Sequence, residues 1–170
     1  MQSTVEGLAQ QVKDLMPKGK TVAVAESLTA GLIQAALASV SGSSEFFVGG
    51  ITTYNLEQKV QLLGVDRESA AKVNCVSRVV AHQMAEGVGK LFGADITVST
   101  TGYAEPWPAG NVLHPHAFIA VRWDDKTAIY TLIGEASRES RNVFREKVTV
   151  AALNAIVCAL FHKDSNGQAR

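Results

Sequence analysis

Apolar residues along this chain alternate between helical spacings of three to four and short continuous runs, and the changes of spacing divide it into helices and strands. Val5, Leu8, Val12, Leu15 and Met16 share one helical face, so residues 4–16 predict an amphipathic opening helix that Pro17-Lys18-Gly19-Lys20 ends. Thr21 to Ala25 is an apolar strand. It runs directly into Glu26-Ser27-Leu28-Thr29-Ala30-Gly31, after which Leu32, Ile33, Ala36 and Leu37 predict a helix of about three turns closed by Ser41-Gly42-Ser43-Ser44. Phe46 to Tyr54 predicts a second strand, in which Gly49-Gly50 marks a bulge or a close backbone approach. Leu56, Val60, Leu62 and Leu63 make a short helix stopped at Gly64, Asp66 opens another, and Ser77 caps a longer one bearing Val80, Met84, Val88 and Leu91. Asp95 to Thr101 is a β-branched third strand, followed by a loop from Gly102 to Pro115. Ala117–Trp123 and Thr127–Ile133 are joined by Asp124-Asp125-Lys126 alone, which forces an antiparallel hairpin and a mixed sheet. The last helix is predicted from Arg138 to about Phe161, and the polar residues 164–170 are expected to fray. This order of elements predicts an α/β fold of the three-layer α/β/α kind.

A length of 170 residues fits one domain, and 46% hydrophobic with 19% charged residues is a globular balance. Sixteen Lys and Arg are matched by sixteen Asp and Glu, so no cationic excess grips nucleic acid or an anionic membrane. The N-terminus carries neither a basic nor an apolar leader segment, and the most apolar stretch, 21–40, is broken by Glu26 and Gln34. A cytoplasmic location is expected, and the isolated Cys75 and Cys158 fit a reducing compartment.

Four polar features map to the carboxyl edge of the predicted sheet, where open α/β folds bind ligands: Ser27, Tyr54 with Lys59, Thr101-Gly102, and Arg141 with Arg145. A strand-to-helix turn exposes Ser27 and aims unpaired backbone N–H groups at the same spot, suiting a nucleophile beside an anion site. Ser27 or Thr29 serves equally as a plain helix cap, which is the favoured reading from local sequence alone. Lys59 reads as a solvated surface lysine, or as a general base if desolvated. Other chemistries are disfavoured. Tyr54 and Lys59 are one residue too far apart for a Tyr-x-x-x-Lys pair, and neither Gly-x-Gly-x-x-Gly nor Gly-x-Ser-x-Gly occurs. His114-Pro115-His116 lacks a third ligand for a metal.

Taken together, Ala25-Glu-Ser-Leu-Thr-Ala-Gly31, Thr53-Tyr-Asn-Leu-Glu-Gln-Lys59, Leu63-Gly-Val65, Val76-Ser77, Met84-Ala-Glu-Gly87, Thr101-Gly-Tyr-Ala104 and Arg141-x-x-x-Arg145-x-x-x-Thr149-Val resemble the CinA C-terminal domain family. The likeness is to nicotinamide-nucleotide amidases of the PncC type, in their single-domain YdeJ-like branch, and spans residues 5 to 160. The resemblance implies a five-stranded mixed sheet with one strand antiparallel to the others. It implies hydrolysis of the carboxamide of nicotinamide mononucleotide, a small-molecule nucleotide, by Ser27 as nucleophile and Lys59 as base, with neither metal nor cofactor. Thr29, Gly31, Tyr54, Thr101, Gly102, Arg141 and Arg145 would then hold the substrate, with Arg145 suited to its phosphate. A homo-oligomer is implied as well.

The chain also departs from the family pattern. Glu-Ser-Cys-Thr-Gly-Gly becomes Glu26-Ser-Leu-Thr-Ala-Gly31, and Tyr-Ser-Asn becomes Tyr54-Asn55-Leu56. The loop Thr-Gly-Ile-Ala-Gly-Pro-Gly-Gly becomes Thr101-Gly-Tyr-Ala-Glu-Pro-Trp-Pro-Ala-Gly110, placing a charge at Glu105 and a ring at Trp107. The competing expectation is therefore a non-catalytic or re-purposed relative, a binding domain with an altered nucleotide pocket.

Overall fold

The computed structural model describes residues 4–136 and 139–165, the side chains of 162–165 excepted. Its elements are α1 (Val5–Leu15), β1 (Val22–Glu26), α2 (Leu32–Ala38), β2 (Phe47–Thr52), α3 (Leu56–Leu63), α4 (Arg67–Lys72), α5 (Arg78–Phe92), β3 (Ile96–Tyr103), β4 (His116–Trp123), β5 (Lys126–Ile133) and α6 (Arg141–Ser165). Single 3-10 turns lie at Ser43–Glu45 and Pro108–Gly110.

The strands form one sheet in the order β2-β1-β3-β4-β5. β1 runs parallel to β2 and β3, whereas β4 is antiparallel to both β3 and β5, so β4 is the one reversed strand. After β1 the chain steps outward to β2 and then returns across β1 to β3. The sheet therefore has its topological switch point at the carboxyl ends of β1 and β3, where a crevice opens between connections that leave in opposite directions.

Alternation along β1 builds the two faces. Val22 and Val24 pack in the larger core with α1, α2 and α6, while Ala23 and Ala25 pack with Leu63, Val65, Val80, Met84 and Val88 from the α3–α5 side. Every β1 residue is buried, which explains its continuous apolar run. On the α5 face β3 turns hydroxyls inward: Thr97 Oγ1 donates to Ala85 O at 2.8 Å and Ser99 Oγ to Ala81 O at 2.6 Å. These bonds satisfy buried hydroxyls and hold α5 close against the sheet. The glycine pair of β2 coincides with a register slip, since Val22 pairs with Phe47 but Ala23 with Gly49.

Three expectations need correction. The helix after Thr29 is not three turns long: α2 has seven residues, because Ser27–Gly31 is spent on a turn in which Ala30 (φ 48°) and Gly31 (φ 98°) are both left-handed. Neither Ser27 nor Thr29 caps it. The N-cap is Gly31, and the orphan N–H groups of Gly31, Ile33 and Gln34 donate to the carboxylate of Glu26 at 3.0–3.2 Å, with Gln34 Nε2 adding a fourth bond at 3.0 Å. The last helix starts at Arg141; the expected start, Arg138, lies outside the described residues, as does the tail beyond Ser165, while 164 and 165 are helical rather than frayed. Among the described residues no helix is long and apolar enough to cross a membrane.

Two substitutions test this account. Glu26→Ala removes a fully buried carboxylate that four donors converge on; a loss of about 3 kcal/mol is expected in denaturant unfolding, mostly from donors left unpaired. A Cβ at Gly87 would stand 2.0 Å from Leu63 O, because α5 crosses the end of α3 there. Gly87→Ala should thus cost about 1–3 kcal/mol by the same measurement.

Candidate functional site

At the switch point lies a cleft of about 470 Å³. β1 ends at its floor. Ser27 continues the strand by one residue, its N–H donating to Thr100 O at 3.0 Å, and the residue is 8% exposed. From the crossover comes Lys59, on the second turn of α3, a helix started by Asn55, whose side chain accepts from Gln58 N. Lys59 is 1% exposed, so the surface reading of this lysine is corrected.

Three oxygens surround Lys59 Nζ: Ser27 Oγ at 3.0 Å, Thr53 O at 2.7 Å and Tyr54 O at 3.4 Å. Two are carbonyls, which only accept. A neutral amine has two N–H groups and one lone pair, so donation to the carbonyls turns the lone pair toward the Ser27 hydroxyl. Burial pushes the Lys59 amine below its ordinary value of 10.5, against a smaller opposing influence of Cys75. The arrangement can accept a proton from a serine.

The other wall is built from β3 and the segment before α5. Thr101 is buried and donates to Cys75 O at 2.6 Å, which fixes the turn Asn74-Cys75, two successive left-handed residues at φ 47° and 62°. Burial raises the Cys75 thiol above its usual value, with nearby Lys59 opposing the rise. Gly102 lines the cleft where a Cβ would stand 2.3 Å from His116 O, so only glycine lets β3 lie this close to β4. Asn74 and Cys75 were not singled out from sequence as wall residues, and no local pattern marks two left-handed non-glycine residues.

Of the nine residues proposed from sequence, six meet at the cleft: Ser27, Lys59, Tyr54, Thr101, Gly102 and Arg141. Thr29, Gly31 and Arg145 do not line it. Thr29 is buried with its hydroxyl 2.8 Å from Thr100 Oγ1, and the Gly31 N–H belongs to Glu26. Arg145 reaches from α6 to the main chain, Nε donating to Leu28 O at 2.8 Å and Nη2 to Thr29 O at 3.0 Å. Its fork holds the turn after Ser27. The α2 N-terminus is likewise closed to ligands, because Glu26 occupies it.

At the mouth, Arg141 Nη1 lies 2.8 Å from Glu105 Oε1, and Nη2 donates to Tyr54 Oη at 2.6 Å. Trp107 is packed over Gly110, and its ring centroid lies 5.9 Å from that of Tyr103. It forms part of the rim and leaves the cleft open.

The family model of the CinA C-terminal domain matches residues 5–160. A competence-damage inducible protein of Streptococcus pyogenes serotype M49 is 43% identical over 138 residues, covering 77% of this chain and 31% of that protein. Another, from serotype M5, is 40% identical over 156 residues, covering 88% and 35%. The chain thus spans about a third of the length of these relatives. Among solved structures, the competence/damage inducible protein CihA of Agrobacterium tumefaciens is 31% identical with a TM-score of 0.78, over 92% of this chain and 94% of that one. The competence damage-inducible protein A of Klebsiella pneumoniae subsp. pneumoniae MGH 78578 is 26% identical with a TM-score of 0.83, over 94% and 98%. On the match over 5–160 and this agreement in fold, the chain belongs to the CinA C-terminal domain family.

Proposed function

We propose that this protein is an amidohydrolase that cleaves a small carboxamide through Ser27 and Lys59, with nicotinamide mononucleotide as the substrate the family resemblance implies. The observation that carries this reading is the 3.0 Å approach of a desolvated lysine amine to a serine hydroxyl at the floor of an open cleft. Neutral Lys59 takes the Ser27 proton as Oγ attacks the carboxamide carbon. The resulting ammonium returns a proton to the departing nitrogen, which leaves as ammonia. Water, deprotonated by the same amine, then splits the acyl-serine to the acid, and the ammonium returns that proton to Ser27 Oγ as it leaves. Proton transfer of this kind supplies about 10²–10⁴-fold.

The charge on the carbonyl oxygen needs donors other than the α2 terminus. The Leu28 N–H directly follows the nucleophile and has no partner among the described residues. Gly102 N–H lies on β3 beyond the last residue that β1 pairs with. Either donor is worth about 10²–10³-fold if aimed at the oxyanion.

A binding domain without catalysis is the competing reading, favoured by the Glu105–Arg141 pair across the mouth. Ammonia release from nicotinamide mononucleotide separates the two. Wild type should release ammonia, and Ser27→Ala and Lys59→Met should each lower kcat/KM by about 10³-fold or more while remaining folded. No release by folded wild type sinks the amidase; release untouched by Ser27→Ala sinks the mechanism.

The wild-type pH profile should rise along a limb whose midpoint lies below 10.5, since only neutral Lys59 accepts the proton. Stability should carry the same signature. Between the lowered folded-state value and 10.5, the unfolded chain holds the Lys59 proton and the folded chain does not, so stability rises with pH across that window. Urea unfolding of wild type and Lys59→Met from pH 7 to 10.5 should show the difference in stability shifting in favour of wild type as pH increases. A pH-independent difference would mean that Lys59 titrates normally.

A further inference from the structure

Exposure divides the cleft into a floor and a mouth. Ser27 and Lys59 are nearly buried, whereas Tyr54 is 55% exposed and the side chains of Arg141 and Glu105 are 43% and 58% exposed. A ligand whose reacting amide sits on Ser27 therefore places its far end beside Tyr54, Arg141, Glu105 and Trp107. The charge of that far end is the question these residues decide.

Only three charged side chains line the cleft among the described residues: Lys59, Arg141 and Glu105. Lys59 lies at the floor and is biased toward its neutral form. Arg145, the other cation nearby, spends its fork on Leu28 O and Thr29 O and contributes nothing to the wall. Among the described residues Arg141 is thus the one cation available at the mouth, and Glu105 already holds it at 2.8 Å. A phosphate arriving there must displace the carboxylate and then lie beside an unpaired anion. A neutral or cationic group meets no such repulsion and has the Glu105 carboxylate and the Trp107 and Tyr103 rings for company.

We propose that Glu105 is a specificity-determining residue: paired with Arg141, it makes the mouth of the cleft a site for carboxamides whose outer end is uncharged or cationic, and it selects against those bearing a phosphate. The proposal rests on the amidohydrolase reading and ranks phosphate-free carboxamides above the mononucleotide within its substrate class, a pyridinium carboxamide nucleoside being the form of matching chemistry. The pair is exposed, so the selectivity is moderate. Coulomb repulsion between exposed charges at the mouth is screened by salt, and an effect of about tenfold at low ionic strength is in keeping with that setting.

The test compares wild type with Glu105→Gln, which keeps the shape and removes the charge, on nicotinamide mononucleotide and on nicotinamide riboside, the same amide without the phosphate. Ammonia release gives kcat/KM for each. Wild type should prefer the riboside. Glu105→Gln should move the ratio about tenfold toward the mononucleotide, the shift should shrink in 0.5 M NaCl, and adding Arg141→Met should abolish it. A ratio that does not move, or moves the other way, overturns the proposal. If neither compound releases ammonia from either protein, the amidase reading falls and the charge rule is judged by calorimetric binding of the same two compounds, with the same shift expected. Equal affinities in both proteins, or no binding at all, overturn it.

Discussion

Burial of the Lys59 amine is the constraint around which this cleft is organised. Removing an ammonium from water is costly, and the fold meets that cost by weakening the proton's hold and by offering Nζ two carbonyl oxygens, Thr53 O and Tyr54 O. Both carbonyls come from the segment between β2 and α3. That segment is positioned by strand pairing on one side, where Thr53 N–H donates to Glu26 O at 2.9 Å, and by the Asn55 cap on the other. The same backbone that ends β2 thus sets the direction of the amine's remaining valence.

A second buried polar side chain shapes the opposite half of the turn. The Glu26 carboxylate neutralises the start of α2, and by curling back to do so it makes Ser27–Gly31 a compact loop instead of the first turn of a helix. The consequence is a division of labour along six residues. Glu26 closes the helix, Ser27 faces the cleft, Leu28 and Thr29 offer carbonyls to Arg145, and Ala30-Gly31 absorb the left-handed backbone. Anion binding by a helix terminus, an attractive use of such a junction, is not available in this protein because the chain supplies its own anion.

Much of the architecture was legible because it follows from local rules. Continuous burial of β1, two strand-forming runs in β4–β5 separated by a link too short for anything but a hairpin, and the caps at Asp66 and Ser77 each leave a mark in a short window. The proximity of Ser27 and Lys59 was legible only through the predicted topology, which sends both to one sheet edge, and through the resemblance, since 32 positions separate them and no local window spans the crossover. What sequence reading missed is tertiary. Whether Arg145 binds a ligand or a main-chain carbonyl depends on where α6 lies over the turn, and nothing within Arg141–Thr149 reports it. The left-handed pair Asn74-Cys75 is likewise held by a hydroxyl on β3, 26 residues away.

The Arg145 fork ties the longest helix to the most delicate bend in the molecule. α6 packs along α1 and across the β3–β4 half of the sheet, yet two guanidinium bonds from its second turn hold the peptide units that follow Ser27. The C-terminal helix is therefore a splint as well as a cover. Loosening its first turns would relax the backbone after Ser27 before the sheet itself came apart, and the floor of the cleft would lose its shape while the bulk of the fold still stood.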